Sequence, residues 1–114
     1  MKFTGIVQKG GETAGKLGFP TANIPFVNDS VSGVFAARVK VGEEEYDAVV
    51  FADNVQMVLE AHVLDFDADL YNWNISIELL EKIRDRKKFA DEADTKEWLQ
   101  KDVNAVRAYF KKKG

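Results

Sequence analysis

Two stretches near the start of this chain have residue types and spacings that chemistry uses. Gly10-Gly11-Glu12-Thr13-Ala14-Gly15-Lys16-Leu17 approaches a phosphate-binding P-loop and fails at its last position. Leu17 stands where the motif needs a Ser or Thr hydroxyl to hold Mg²⁺. Gly18 and Pro20 follow at once and would break the α-helix that a P-loop opens. The stretch is not a Walker motif, yet clustered glycines suit a tight turn whose backbone N–H groups face an anion. The second stretch is Pro20-Thr21-Ala22-Asn23. In an extended segment Thr21 and Asn23 project to one side, bringing a hydroxyl oxygen beside a carboxamide oxygen. Hard oxygens suit Mg²⁺, which takes one or two protein ligands and fills its octahedron with water and phosphate. The simpler use of Thr and Asn after a proline is to satisfy a turn, and on these residues alone that use would stand.

The elements that would position such residues are bounded by composition. With 114 residues, 46% hydrophobic and 31% charged, the chain has globular proportions and enough length for one modest core. A (β/α)₈ barrel or a complete doubly wound nucleotide-binding sheet needs more chain. Sixteen basic and nineteen acidic side chains leave a formal charge of −3, so no general polyanion-binding surface is implied and no nucleic-acid partner is expected. Cysteine is absent, which removes disulfides, thiol catalysis and thiolate metal sites, and fits a reducing compartment. No apolar run reaches the length of a membrane span, and Met1-Lys2-Phe3 does not open a signal peptide. A soluble cytoplasmic protein, monomeric and without a membrane partner, is expected.

The pattern along the chain changes period once. Phe3 to Gln8 is β-prone, and from Val34 the residues Phe35, Ala37, Val39 and Val41 alternate with Ala36, Arg38 and Lys40, as in a half-buried strand. Gly42 to Glu45 reads as a turn and Tyr46 to Phe51 as the returning strand. Met57 to Leu64 and Trp73 to Leu80 are two further strands, with Ile75, Ile77 and Leu79 on one face. Asp94 and Glu97 then have the spacing of a capping box, and Leu99, Val103, Val106 and Phe110 recur at helical spacing before Lys111-Lys112-Lys113. Strands this close cannot have helical crossovers, so the sheet is expected to be antiparallel. The predicted fold is an all-β core, a small closed or nearly closed antiparallel barrel, with one long amphipathic C-terminal helix, all in a single domain over residues 1–114.

Leu17-Gly18-Phe19-Pro20-Thr21-Ala22-Asn23-Ile24, with the glycine loop before it and Gly33-Val34-Phe35-Ala36 after it, resembles the signature region of the ATP-dependent riboflavin kinases (flavokinases). The resemblance continues through Glu60-Ala61-His62-Val63-Leu64-Asp65-Phe66, Asp69-Leu70-Tyr71 and Arg84 to Phe89, and faintly around Asp102. It implies a small antiparallel barrel followed by a helix, and transfer of the γ-phosphoryl group of ATP to the 5′-hydroxyl of riboflavin, giving FMN and ADP. By position it implies that Thr21 and Asn23 hold the metal, Mg²⁺ or in its place Zn²⁺ or Mn²⁺. Gly10, Gly15, Lys16, Pro20 and Thr21 would face the nucleotide, Glu60 would be the base, and Arg84, Phe89 and Asn23 would border the flavin. No tightly bound prosthetic group is expected.

The residues are compatible with these roles. Glu60 lies in an apolar run, after Val58-Leu59 and before Val63-Leu64, and a carboxylate there is placed to accept a hydroxyl proton. His62, the only histidine, shares its face and is expected to support Glu60 by hydrogen bonding. Arg84 carries a planar guanidinium suited to stacking on a flavin, whereas Lys87 and Lys88 read as solvated loop. Trp98 is expected in the core. The chain departs from the family at Lys16, where arginine is usual, at Asn72, where glycine is usual, and at Arg86, near which a glutamate is expected. It is also shorter between Phe51 and Glu60, where only Ala52 to Gln56 replace a longer walling segment. A non-catalytic flavin- or nucleotide-binding barrel, or a kinase of this fold with another donor or flavin analogue, is the rival reading.

Overall fold

The structure, a computed structural model, describes residues 1–9 and 13–113, with residues 13 and 14 described by their backbone alone. Among these residues six strands form one antiparallel sheet in the order β1-β6-β3-β4-β5-β2. The strands are β1 (Lys2–Ile6), β2 (Ala22–Pro25), β3 (Gly33–Val41), β4 (Glu44–Asp53), β5 (Val58–Val63) and β6 (Asn74–Arg84), with a helical turn α1 (Thr13–Lys16) and a terminal helix α2 (Glu92–Lys113). The sheet curls until its edges meet: the amide of Gln8, just past β1, donates to the Asn23 carbonyl of β2 at 2.8 Å. Gly5 sits at that seam, where an added Cβ would lie 3.2 Å from the Ile24 side chain. The result is the nearly closed barrel with an outer helix that the patterning implied.

Two apolar clusters hold it. Ile24, Val39, Val50, Leu59, Ile75 and Ile77 fill the barrel. On the outside, Val34, Ala36, Val49 and Leu64 pack under Leu99, Val103 and Val106 of α2. β3 is therefore buried on both faces over its first half and alternates only toward Val41, which the simple period-two reading of 35–41 did not anticipate. Full burial of each α2 aliphatic contributes about 1.5–3 kcal/mol, so three of them anchor the helix firmly.

The helix begins earlier than the Asp94–Glu97 spacing implied. Asp91 Oδ1 accepts the Asp94 amide at 2.8 Å, and Asp94 Oδ2 accepts the Ala90 amide at 3.1 Å. The reciprocal pair has the same logic as the expected cap, but Asp91 supplies it, because its side chain is the one that reaches the first free N–H groups. Among the described residues no helix is long and apolar enough to cross a membrane.

One polar contact joins α2 to the sheet. Arg84 Nε and Nη2 donate to Asp102 Oδ1 and Oδ2, both at 2.8 Å, and Asp102 is 2% exposed. A bulge at Ile83 explains the aim: β3 pairs Val34 with Arg84 and Phe35 with Lys82, so Ile83 and Arg84 both project toward α2. Removing one partner of such a pair leaves the other charge desolvated. Asp102→Ala is expected to lose about 3 kcal/mol or more in urea unfolding. The double variant Arg84→Met/Asp102→Leu should lose less; a larger loss in the double would show that the pair itself, not the stranded charge, carries the stability.

Candidate active site

The antiparallel registers put a row of residues across five strands. Arg84 pairs with Val34, Val34 with Phe51, Phe51 with Glu60, and Glu60 with Asn23. Residues directly opposite in a ladder share a face, so all five project outward, on the side that α2 covers in part. Strand spacing of about 4.8 Å places Asn23 one strand from Glu60 and Arg84 about 14 Å from it. Between Glu60 and Arg84 the row is apolar: Phe51 is half-buried and Val34 is buried beneath α2.

Thr21 lies just before β2, at the near end of this row. Its side chain lies beside the Glu60 carboxylate and favours the charged form. Asn23 is 5% exposed, and its Oδ1 has no hydrogen-bond partner among the described residues. Buried acceptors without a partner are rare because each forfeits the hydration it had in water. This oxygen, one strand from a carboxylate and beside Thr21, fits a hard cation that takes few protein ligands. Among the described residues no cluster of three or more His, Asp or Glu side chains forms a metal cage.

Beside β2 opens a cavity of about 700 Å³. Its lining includes Gln8, Lys9, Gly15, Lys16, Pro20, Thr21 and Asn23 together with Ala61, Val63, Phe66, Leu70 and Tyr71. The structure thus gathers Gly15, Lys16, Pro20, Thr21 and Asn23 around one space, while Gly10 lies outside the described residues. The turn α1 stops at Gly18, whose φ of 93° favours glycine. Arg84 and Phe89 stand apart from this cavity and next to each other, with the guanidinium 5.6 Å from the Phe89 ring. Arg84 is engaged with Asp102, so it braces the segment that leads to Phe89.

His62 does something other than support Glu60. Its Nδ1 donates to the Pro20 carbonyl at 2.8 Å, which requires the Nδ1–H tautomer, and its ring meets Phe19 edge-on. It positions the backbone just ahead of Thr21. Trp98 is half-buried under cations, with Arg84, Lys87 and Lys101 all over its ring, so Lys87 is not simply solvated. Asn72 adopts φ 71°, a conformation that glycine takes freely and Asn tolerates, so the change from the usual glycine keeps the turn. Asp53 was not anticipated. It sits on β4 diagonally across from Glu60 and pairs with Arg86 at 3.4 Å.

The comparisons with known proteins bear on this geometry. The sequence model of the Flavokinase family, described as riboflavin kinase, matches residues 1–110. The chain belongs to the flavokinase family. The bifunctional riboflavin kinase/FMN adenylyltransferase of Escherichia coli (strain K12) is 33% identical over 95% of this chain and 37% of its own length. An RNA-binding riboflavin kinase, RibR, of Bacillus subtilis (strain 168) is 29% identical over 95% of this chain and 50% of its own. A solved structure, that of a macrolide-efflux protein from Streptococcus pneumoniae, aligns with a TM-score of 0.83 at 25% identity, over 93% of this chain and 38% of that one. This flavokinase chain thus spans half or less of each of these proteins.

Glu60 is the titrating group of the site. Burial, reinforced by the Asp53 charge, raises its carboxyl above the usual carboxylate range, against the pull of the Thr21 side chain. A carboxyl raised in the folded state contributes stability that is complete below its unfolded titration and lost as pH rises through its folded one. Once ionised, Glu60 therefore burdens the fold. We expect Glu60→Gln to gain melting temperature relative to the wild type as pH rises through the titration of Glu60, and to lose that gain in acid below it. Equal melting temperatures on both sides of that titration would show that the carboxylate is not strained.

Proposed function

We propose that this flavokinase chain transfers the γ-phosphoryl group of ATP to the 5′-hydroxyl of riboflavin, releasing FMN and ADP. The observation that carries the reading is what lies on either side of Glu60. The cavity beside β2 lies on one side, the half-buried Phe51 on the other, and Thr21, Asn23 and Glu60 stand between them. A donor nucleotide in the cavity and a flat acceptor over Phe51 would bring phosphate and hydroxyl together beside Glu60.

Phosphoryl transfer asks the protein mainly for alignment and charge stabilisation. Glu60 accepts the hydroxyl proton as the bond to phosphorus forms, and its raised proton affinity makes it a better acceptor than a fully solvated carboxylate. Thr21, beside that carboxylate, offsets part of the rise. Gly15 and Lys16 line the nucleotide side, with Lys16 offering a positive charge to phosphate. Arg84 and Phe89 border the flavin end of the row, held there by Asp102. Thr21 and Asn23 would hold Mg²⁺, which when bound neutralises the charge that builds on the transferring phosphate. A barrel that only bound flavin would gain nothing from a strained carboxylate at the junction, which favours catalysis over the binding-only alternative. The reading takes the domain as a cytoplasmic monomer and assigns nucleic acid no part, since RNA binding named for the Bacillus subtilis relative can reside in the half of it that lies outside the match.

The test is to incubate the purified protein with riboflavin, Mg²⁺ and each nucleoside triphosphate, then separate FMN from riboflavin. FMN is expected with ATP. Glu60→Gln should lower kcat by about a hundredfold or more while leaving riboflavin affinity within about threefold. Tight riboflavin binding without FMN from any donor would refute the kinase reading, and full activity of Glu60→Gln would remove Glu60 from the base role.

A further inference from the structure

The edge of the row is closed by an ion pair that the reaction above does not use. β3 begins at Gly33, opposite Ala52, so Asp53 of β4 extends one residue past it. β6 ends at Arg84, and the chain beyond it turns toward the same gap. There Arg86 Nη1 lies 3.4 Å from Asp53 Oδ1. Only residues 54–57 link β4 to β5, and the same Oδ1 accepts the Val55 and Gln56 amides, both at 3.0 Å. The carboxylate end of the pair is therefore fixed by the turn, with the Asp53 side chain 16% exposed, while the Arg86 side chain is 48% exposed.

We propose that the Asp53–Arg86 pair is the side wall of the acceptor groove, an acceptor-positioning and specificity-determining pair that seats riboflavin against Glu60. The proposal rests on the flavokinase reading and adds residues to it. A pair this exposed and this long adds little to stability, which leaves its placement unexplained by folding alone. Its placement is informative: Asp53 is the diagonal neighbour of Glu60 across β4 and β5, and Phe51, the apolar floor, is directly opposite Glu60 and two residues before Asp53 on the same face of β4. A flat acceptor on that floor would meet Asp53 and Arg86 along one edge. The pair uses Nη1, leaving the other N–H groups of the guanidinium fork for the polar edge of the acceptor. The two residues thus do with one ion pair what a longer segment between β4 and β5 would do with chain.

The experiment titrates riboflavin by quenching of its fluorescence and measures KM for riboflavin and for ATP, all at one fixed pH. Four proteins are compared: wild type, Asp53→Asn, Arg86→Gln and the double variant. Asp53→Asn keeps an oxygen for the Val55 and Gln56 amides and removes only the charge, and a melting curve confirms that each variant folds. Each single change is expected to weaken riboflavin binding and raise its KM about tenfold, with KM for ATP within about twofold and the double variant no worse than the singles. Arg86→Lys should recover part of the loss. Riboflavin affinity within about twofold of wild type in both singles, or losses that multiply in the double, would overturn the wall while leaving the flavokinase reading intact. A wild type that neither binds riboflavin nor forms FMN would overturn both.

Discussion

The pairing of β2 with β5 is the interaction on which the site depends. It is short, four residues against four, yet it alone sets Asn23 opposite Glu60 and brings Thr21 beside the carboxylate. β2 is held from three directions. Ile24 is fully buried in the barrel, the Gln8 amide bonds Asn23 from the β1 side, and His62 fixes the Pro20 carbonyl just ahead. A slip of one residue would turn Asn23 into the barrel and Ile24 out of it, exchanging a buried aliphatic for an amide. Core burial thus enforces the register, and the register enforces the chemistry.

The same arrangement explains why polar groups are left under tension at this one place. An unpartnered Asn23 oxygen and a carboxyl whose proton affinity is raised both oppose folding, and both face the junction between the cavity and the row. Elsewhere the buried charges are satisfied, as in the bidentate pair of Arg84 and Asp102. Strain concentrated at such a junction is the pattern expected when a site is kept ready for groups that arrive with the substrate.

The sequence made much of this legible, for reasons that can be named. Alternation and a switch to helical spacing revealed the strands and α2, because each of those elements buries a continuous face. Thr21, Asn23 and Glu60 were singled out by the resemblance to the flavokinases, since on residue type alone a turn and a solvated glutamate were the simpler readings. The rest depended on contacts between distant residues. β2 is too short, with prolines at 20 and 25, to show a period. The partner of Arg84 lies eighteen residues on, where a lone Asp102 in an amphipathic helix reads as surface. The true cap, Asp91, competed with an equally plausible Asp94, and only geometry distinguishes them. Asp53 gave no signal at all, since its neighbours in space come from a turn and from the chain past β6.

A small barrel has no interior room for two substrates, and that limit accounts for the layout. The core inside the strands is filled by Ile24, Leu59, Ile75 and Ile77, so ligands must be held at its end and on its outer wall. The end is shaped by Gly15, Lys16 and the Phe66 to Tyr71 connection, which line the cavity. The outer wall is shaped by α2, and there rigidity comes from Arg84 and Asp102, which tie helix, bulge and the segment to Phe89 into one unit. Glu60, the proposed base, sits on β5, directly beside β2. Placing it anywhere else on the sheet would separate it from one substrate by at least another strand spacing of about 4.8 Å, which is further than a proton transfer tolerates.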